Sequence, residues 1–414
     1  MSRFISLGAL GVGVAALLAA PPVRAQTKVP QVPCYDAGLR PRVVYVAGST
    51  AARPFLGVLA KLLATESPPV TVVYQAQGSC TGVEAIYSTD AQRRLIKDIP
   101  EVGATPANYA VFFEADGTTT RECALDPGGN QVDVGLSDVY ADSCGFGGAG
   151  GPEVTEYLGP VQPMVWVVPA ASSQQSISAE AAYLAVGLGG NQGASAPWVD
   201  PRFYFVRNNR SGTQQLMARA IGVAANKWWG IDRGGSSQIV AAMKLLVDQA
   251  NAEKSLAILS TDIADGERSN LRILAFQAKD QRCGYWPDSA ASSFDKLNVR
   301  EGRYAIWGPL HFFARTAGGV PNETTGALVS RFAAQRLEME LIDAVIARRL
   351  VPLCAMRVTR KSEMGPLERF EPQFQCGCYF EFAANGATGC KTCKGPGDCP
   401  SERPACNYGY CETQ

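Results

Sequence analysis

The chain has 414 residues, 46% hydrophobic and 18% charged, with 38 Lys+Arg against 38 Asp+Glu. That length holds two cored domains plus accessories, and the balanced charge excludes a global field favouring nucleic acid or an anionic membrane surface. Any anion site must therefore be local, and one histidine cannot supply a metal phosphatase centre.

Residues 1–25 read as a secretory signal peptide. Arg3 precedes an apolar run from Ile5 to Ala20, and Pro21-Pro22 leads to Val23-Arg24-Ala25, a small-x-small cleavage site after Ala25. The run is too short to span a bilayer, and no later stretch approaches ~18 uninterrupted apolar residues. No cysteine sits at the cleavage site, so a lipid anchor is not indicated there. Export also accounts for the 13 cysteines, since disulfides persist in oxidising compartments. Their odd number leaves one thiol free or one bridge between chains, and spacing alone does not give the pairing.

Residues 26–41 are a Pro-rich, extended lead-in. Val43-Val44-Tyr45-Val46 predicts a strand, Gly48-Ser49-Thr50 a turn, and Phe55, Val58, Leu59, Leu62 and Leu63 recur at helical spacing, with Pro54 suited to the first helical turn. The unit repeats with the strand Val70 to Tyr74, the Gly78-Ser79 turn and a helix through Val83, Ile86 and Tyr87. It recurs with Phe203 to Val206, the turn Arg207 to Thr213, and a helix through Leu216, Met217, Ala220 and Ile221. Strands alternating with helices predict an α/β architecture with ligands at the carboxyl ends of strands.

Between the second and third units, Asp116-Gly117 between two strand-like runs marks a hairpin, expected to be a surface insertion rather than a core element. The run Gly145 to Gly151 reads as a flexible connection and Pro163 to Val168 as a buried strand opening a second lobe. That lobe is expected to hold helices at about 179–186 and 238–250 and a strand at 256–259. A helix at about 328–348 is expected to return to the first lobe. From Cys376 onward seven cysteines crowd a Gly/Pro-containing segment too small to bury a core, so covalent staples must hold it. Cys390-x2-Cys393 is half of a zinc pattern, but no histidine accompanies it and export favours disulfides.

The three turns place small polar residues and Arg207 at strand-to-helix junctions. Free N–H groups at a helix start, with the helix dipole, favour an anion there. Taken singly such turns are ordinary caps; converging with Arg207 and Asp138 they describe a cage.

The order of Ala47-Gly48-Ser49-Thr50, Gly78-Ser79 with Gly82, Val132 to Asp138, and Arg207 followed by Ser211-Gly212-Thr213 resembles the periplasmic phosphate-binding proteins that feed ABC phosphate transporters, over roughly residues 42–315. The cysteine-rich tail has no counterpart there. The resemblance implies a two-lobed type 2 binding-protein fold with crossover strands: first lobe 42–155, second lobe 156–290, return to the first lobe 291–355, and a cysteine-rich module 356–414. It implies a phosphate site with Ser49, Thr50, the Ala51 N–H and Ser79 from the first lobe, and Arg207, Ser211, Gly212 and Thr213 from the second. Asp138 would accept the proton that phosphate keeps and sulfate lacks. No catalytic residue, metal or cofactor is implied; the partners are phosphate or a similar oxyanion and transporter membrane subunits, for a periplasmic or secreted monomer that binds no nucleic acid.

The chain departs from that pattern at Ala51, where an aromatic is usual, and at Asn209 and Arg210, where an acidic residue and a glycine are usual. The last two would make the site more positive by about two charges and admit a larger or more anionic ligand. A serine hydrolase is disfavoured, because Gly-x-Ser-x-Gly is absent and His311, set among apolar residues, reads as packed. An adhesion or interaction protein using the tail for contact is the second reading.

Overall fold

The computed structural model describes residues 29–35, 42–103, 106–146, 153–190 and 195–413. The signal peptide, its cleavage site and most of the Gly145 to Gly151 run lie outside them.

Twelve strands form one mixed sheet. In chain order they are β1 (Arg42–Gly48), β2 (Val70–Ala76), β3 (Ala110–Phe113), β4 (Thr120–Cys123), β5 (Val134–Ser137), β6 (Val154–Pro169), β7 (Tyr204–Val206), β8 (Ile231–Asp232), β9 (Leu256–Ser260), β10 (Leu271–Ile273), β11 (Trp307–Ala317) and β12 (Val320–Pro321). Along the sheet the order is β8-β7-β9-β6-β11-β5-β1-β2-β3-β4, with β10 beside β6 and β12 beside β11. β1 runs parallel to β2 and β5, and β7 parallel to β8 and β9.

β6 and β11 are the long strands, and they tie two lobes together. The first half of β6 pairs antiparallel with β11, and its second half pairs with β9. The sheet thus passes from one lobe to the other through this pair, with Gln162 opposite Gly308 near the crossing.

The longer helices are α1 (Arg53–Leu63), α2 (Ser79–Tyr87), α3 (Gly212–Ile221), α4 (Ser236–Lys244), α5 (Gln249–Lys254), α6 (Thr261–Gly266), α7 (Glu323–Ala333), α8 (Met339–Ala347) and α9 (Gly377–Asn385), and α1, α2 and α3 follow their strands where the periodicity predicts them. α1 buries Phe55, Leu56, Leu59, Leu62 and Leu63 against β1 and β2, where Leu328, Phe332, Leu341 and Val345 of α7 and α8 join them. The helix expected over 328–348 is two helices, both packed on α1. Ala334 is extended, and the Leu337 carbonyl in the break accepts a bond from the Tyr408 hydroxyl of the tail at 3.0 Å. The single helix expected over 238–250 is likewise split, because Asp248 caps a new helix by accepting from the Asn251 N–H at 2.9 Å.

The Asp116-Gly117 hairpin forms, but it is no surface insertion. β3 pairs with β2 and extends the main sheet. Phe112 packs on one face of that sheet and Phe113 on the other, so adjacent side chains are buried on opposite sides.

Six disulfides join Cys34–Cys123, Cys80–Cys144, Cys354–Cys376, Cys378–Cys390, Cys393–Cys406 and Cys399–Cys411, leaving Cys283 as an exposed free thiol. Cys390 and Cys393 are bonded to different partners, so neither offers a thiolate to zinc. The tail is held by more than its staples. Cys376, Phe380 and Tyr408 join the second-lobe core. The fully buried Arg300 bonds the Glu381 carboxylate at 2.9 Å and the Ala355 carbonyl at 2.9 Å.

Candidate functional site

The site lies where β1, β2 and β5 end and α3 begins. Gly48 has φ +140°, and a Cβ there would stand 1.9 Å from the Leu136 carbonyl oxygen, so only glycine lets β1 turn this close to β5. The turn delivers Ser49, whose N–H donates to the Leu136 carbonyl at 2.8 Å and whose hydroxyl donates to Asp138 Oδ1 at 2.5 Å. Ser79, at the start of α2, donates its hydroxyl to Asp138 Oδ2 at 3.1 Å and accepts from the Asp138 N–H at 3.1 Å. Cys80–Cys144 fixes α2 to the loop that follows Asp138.

From the second lobe, Arg207 is brought in on a tight mount. Its N–H donates to Gln214 Oε1 at 2.7 Å, its Nε to the Gly234 carbonyl at 2.7 Å and its Nη1 to the Ser236 hydroxyl at 3.2 Å. Its Nη2 crosses between lobes to the Thr50 hydroxyl at 3.1 Å. Ser211 caps α3 by accepting from the Gln214 N–H. Next to it, a Cβ on Gly212 would lie 2.2 Å from Ser79 Oγ and 2.7 Å from Asp138 Oδ2, so the second lobe meets the first through bare backbone. Thr213 is buried, and its hydroxyl has no hydrogen-bond partner among the described residues.

Burial sets the electrostatics. It pushes the Asp138 carboxyl above its ordinary range, opposed by the two serine hydroxyls and by the charges of Arg207 and His311. Burial also pulls the Arg207 guanidinium down, opposed by Asp138 and Asp232. Each charge thus partly offsets the burial of the other, one from each lobe.

All nine residues singled out in the sequence lie in this region, and three details in and around them differ from expectation. The Ala51 N–H, expected to be free, donates to Ser49 Oγ at 3.2 Å, and α1 starts only at Arg53. The extra positive charge expected from Arg210 is neutralised: its guanidinium reaches Glu84 Oε2 at 3.0 Å and the Thr81 hydroxyl at 3.0 Å across the lobes. With Asn209 where an acidic residue is usual, Arg207 is oriented by the Gly234 carbonyl and the Ser236 hydroxyl.

Sequence reasoning missed several neighbours. His311 stands opposite Ser137 in β11, with Nδ1 2.6 Å from Glu156 and its ring 4.3 Å from Tyr140. Glu363, from the segment before the tail, accepts the Tyr140 N–H at 2.5 Å and the Ser143 hydroxyl at 2.6 Å. Gln162 and Asp262 also adjoin the site. Gln162 was visible as one polar residue inside an apolar strand, and Ser260-Thr261-Asp262 as another strand-to-helix turn.

No family model matches the chain, and no curated protein matches its sequence. Structural neighbours include proteins described as phosphate-binding. One is a putative phosphate ABC transporter substrate-binding protein from Clostridium perfringens with bound phosphate, at 12% identity, covering 75% of this chain and 99% of that one, TM-score 0.48. An ABC-type phosphate transport receptor from Vibrio cholerae gives 12% identity, 74% and 99% coverage and TM-score 0.46. A human phosphate binding apolipoprotein gives 15% identity, 75% and 90% coverage and TM-score 0.45.

Proposed function

We propose that the chain is an exported solute-binding protein that takes phosphate or a related oxyanion between its lobes, for uptake by an ABC-type transporter, and is not an enzyme. The observation that carries this reading is that a buried carboxylate, Asp138 held by Ser49 and Ser79, and a buried guanidinium, Arg207 from the opposite lobe, face one region without bonding each other directly. A guanidinium and several hydroxyls are donors for oxyanion oxygens, while a carboxylate is an acceptor that only a protonated oxyanion satisfies. Sulfate at neutral pH has no such proton and would meet the charge of Asp138 in a buried setting.

Titration calorimetry on protein stripped of bound anion, with phosphate, arsenate, sulfate and a phosphate monoester, tests this. Phosphate and arsenate are expected to bind at one site and sulfate to give no heat. Arg207→Ala removes hydrogen bonds to a charged group, about 1.5–3 kcal/mol each, so affinity should fall by roughly 100-fold or more. No heat from any anion would sink the reading.

A further inference from the structure

The anion site has one acidic residue in the reading above, yet a second carboxylate adjoins it. Asp262 opens α6 directly after β9 and receives a bond from Gln162 Nε2 to its Oδ1 at 3.1 Å. Its Oδ2 is buried with no hydrogen-bond partner among the described residues. Gln162 is itself fully buried, and its Oε1 is also without a partner.

The crossover strands fix where these groups sit. Gln162 lies opposite Gly308 in the antiparallel pair of β6 and β11, so their side-chain directions share one face of the sheet. A Cβ built on Gly308 meets one atom within 4 Å, the Asp138 carbonyl oxygen at 3.3 Å. Gln162 therefore projects to the Asp138 side, and through it Asp262 is presented to the same region. Two bare acceptors, Gln162 Oε1 and Asp262 Oδ2, are more than a site built only to donate to an anion can use.

We propose that Asp262, presented by Gln162, is a second acidic wall of the interlobe anion site, and that the anion is therefore bound together with a proton. The inference rests on the anion-binding reading. With Asp138 and Asp262 both ionised against Arg207, the three side chains sum to one negative charge, and a dianion would raise that to three in a buried region. A proton drawn from solvent and shared between Asp262 Oδ2 and a ligand oxygen removes one of these charges and satisfies the bare acceptor. The ligand class is an oxyanion that holds protons near neutral pH, phosphate or arsenate.

The groups acting on Asp262 are Ser260 at the end of β9, Asp138 from across the site, the Ile263 N–H and Gln162 of β6, none of them a cation. β6 also carries Glu156, which is bonded to His311, and α6 carries Asp265, which is paired with Lys296 and Arg268. Burial pushes the Asp262 carboxyl up to about 7. Below that pH it is neutral and equivalent to an asparagine; above it, the charge opposes the anion unless a proton is supplied.

The test is phosphate calorimetry on the full mature chain and on Asp262→Asn at pH 6 and pH 8, in two buffers of different ionisation enthalpy so that proton uptake is counted. The two proteins should bind alike at pH 6. At pH 8 the variant should bind about tenfold tighter and take up about one proton fewer. A ligand-free readout guards against a misfolded variant: the wild type should lose thermal stability relative to Asp262→Asn as pH rises from about 4 to about 7, because the native carboxyl keeps its proton where the unfolded one does not. Equal affinity and proton uptake in wild type and Asp262→Asn at pH 8 would overturn the second wall while leaving phosphate binding in place. Failure of the folded wild type to bind phosphate at all would overturn the anion reading, and this inference with it.

Discussion

At the residue scale the site depends on what is missing as much as on what is present. Gly212 lets α3 reach Ser79 and Asp138, and a methyl group there would stand 2.2 Å from Ser79 Oγ. Overpacking of this kind costs typically ~1–3 kcal/mol. Because the collision is between lobes, it opposes their approach rather than the fold of either one. Gly212→Ala is therefore expected to lower phosphate affinity by roughly 5- to 150-fold, with the melting temperature of the ligand-free protein close to that of the wild type. A large fall in melting temperature would place the cost within a lobe instead. Ser211 and Thr213 flank this position and were legible because strand, small polar turn and amphipathic helix follow one another directly in sequence. Asp262 has the same signature, Ser260-Thr261-Asp262 after an apolar strand, yet its helix is only one and a half turns long and leaves no apolar stripe to reveal it.

At the element scale the loop after Asp138 is held from three directions. Cys144 ties it to α2, the His311 ring lies tilted against Tyr140, and Glu363 accepts both the Tyr140 N–H and the Ser143 hydroxyl. Glu363 belongs to a segment whose Arg360 lies over Trp307, 4.1 Å from the ring, and donates to the Ala305 carbonyl beside the lobe crossing. This segment thus fastens the Asp138 loop of one lobe to the crossover strand. Glu363→Ala strips a part-buried N–H and a serine hydroxyl of their acceptor, a cost of about 1–3 kcal/mol, which urea unfolding would report. A change below ~0.5 kcal/mol would mean that water replaces the carboxylate. None of this was legible, since residues 363 and 140 are joined only by tertiary contact. The α/β units were legible because parallel strands buried on both faces read as apolar runs. The hairpin of β3 and β4 was misjudged for a related reason: Phe112 and Phe113 are buried on opposite faces, which hides the alternation that marks a sheet strand.

At the scale of the whole molecule, the cysteine-rich tail packs Cys376, Phe380 and Tyr408 into the second-lobe core and also bonds Leu337 between α7 and α8. Composition suggested an appendage stapled to itself, because a segment with so few apolar residues has no core of its own. The structure supplies that core from elsewhere, through Phe380, Tyr408 and the Cys354–Cys376 bridge. A chain ending at residue 375 would lose the bridge, worth typically ~2–4 kcal/mol. It would also lose the burial of Phe380, about 1.5–3 kcal/mol, and expose Arg300 stripped of its Glu381 and Gly377 partners. The bridge and the Phe380 burial together reach the lower part of the whole stability of a typical domain, about 5–15 kcal/mol. The truncated chain is therefore expected to be largely unfolded at 37 °C by circular dichroism, and to bind phosphate only to the extent that phosphate refolds it. If it instead melts with the full chain and keeps its affinity, the tail is an independent module, free to serve contacts with another protein. The companion variant Arg300→Met separates the terms: it removes the buried charge without exposing the core, so its loss of stability should be much smaller than that of truncation.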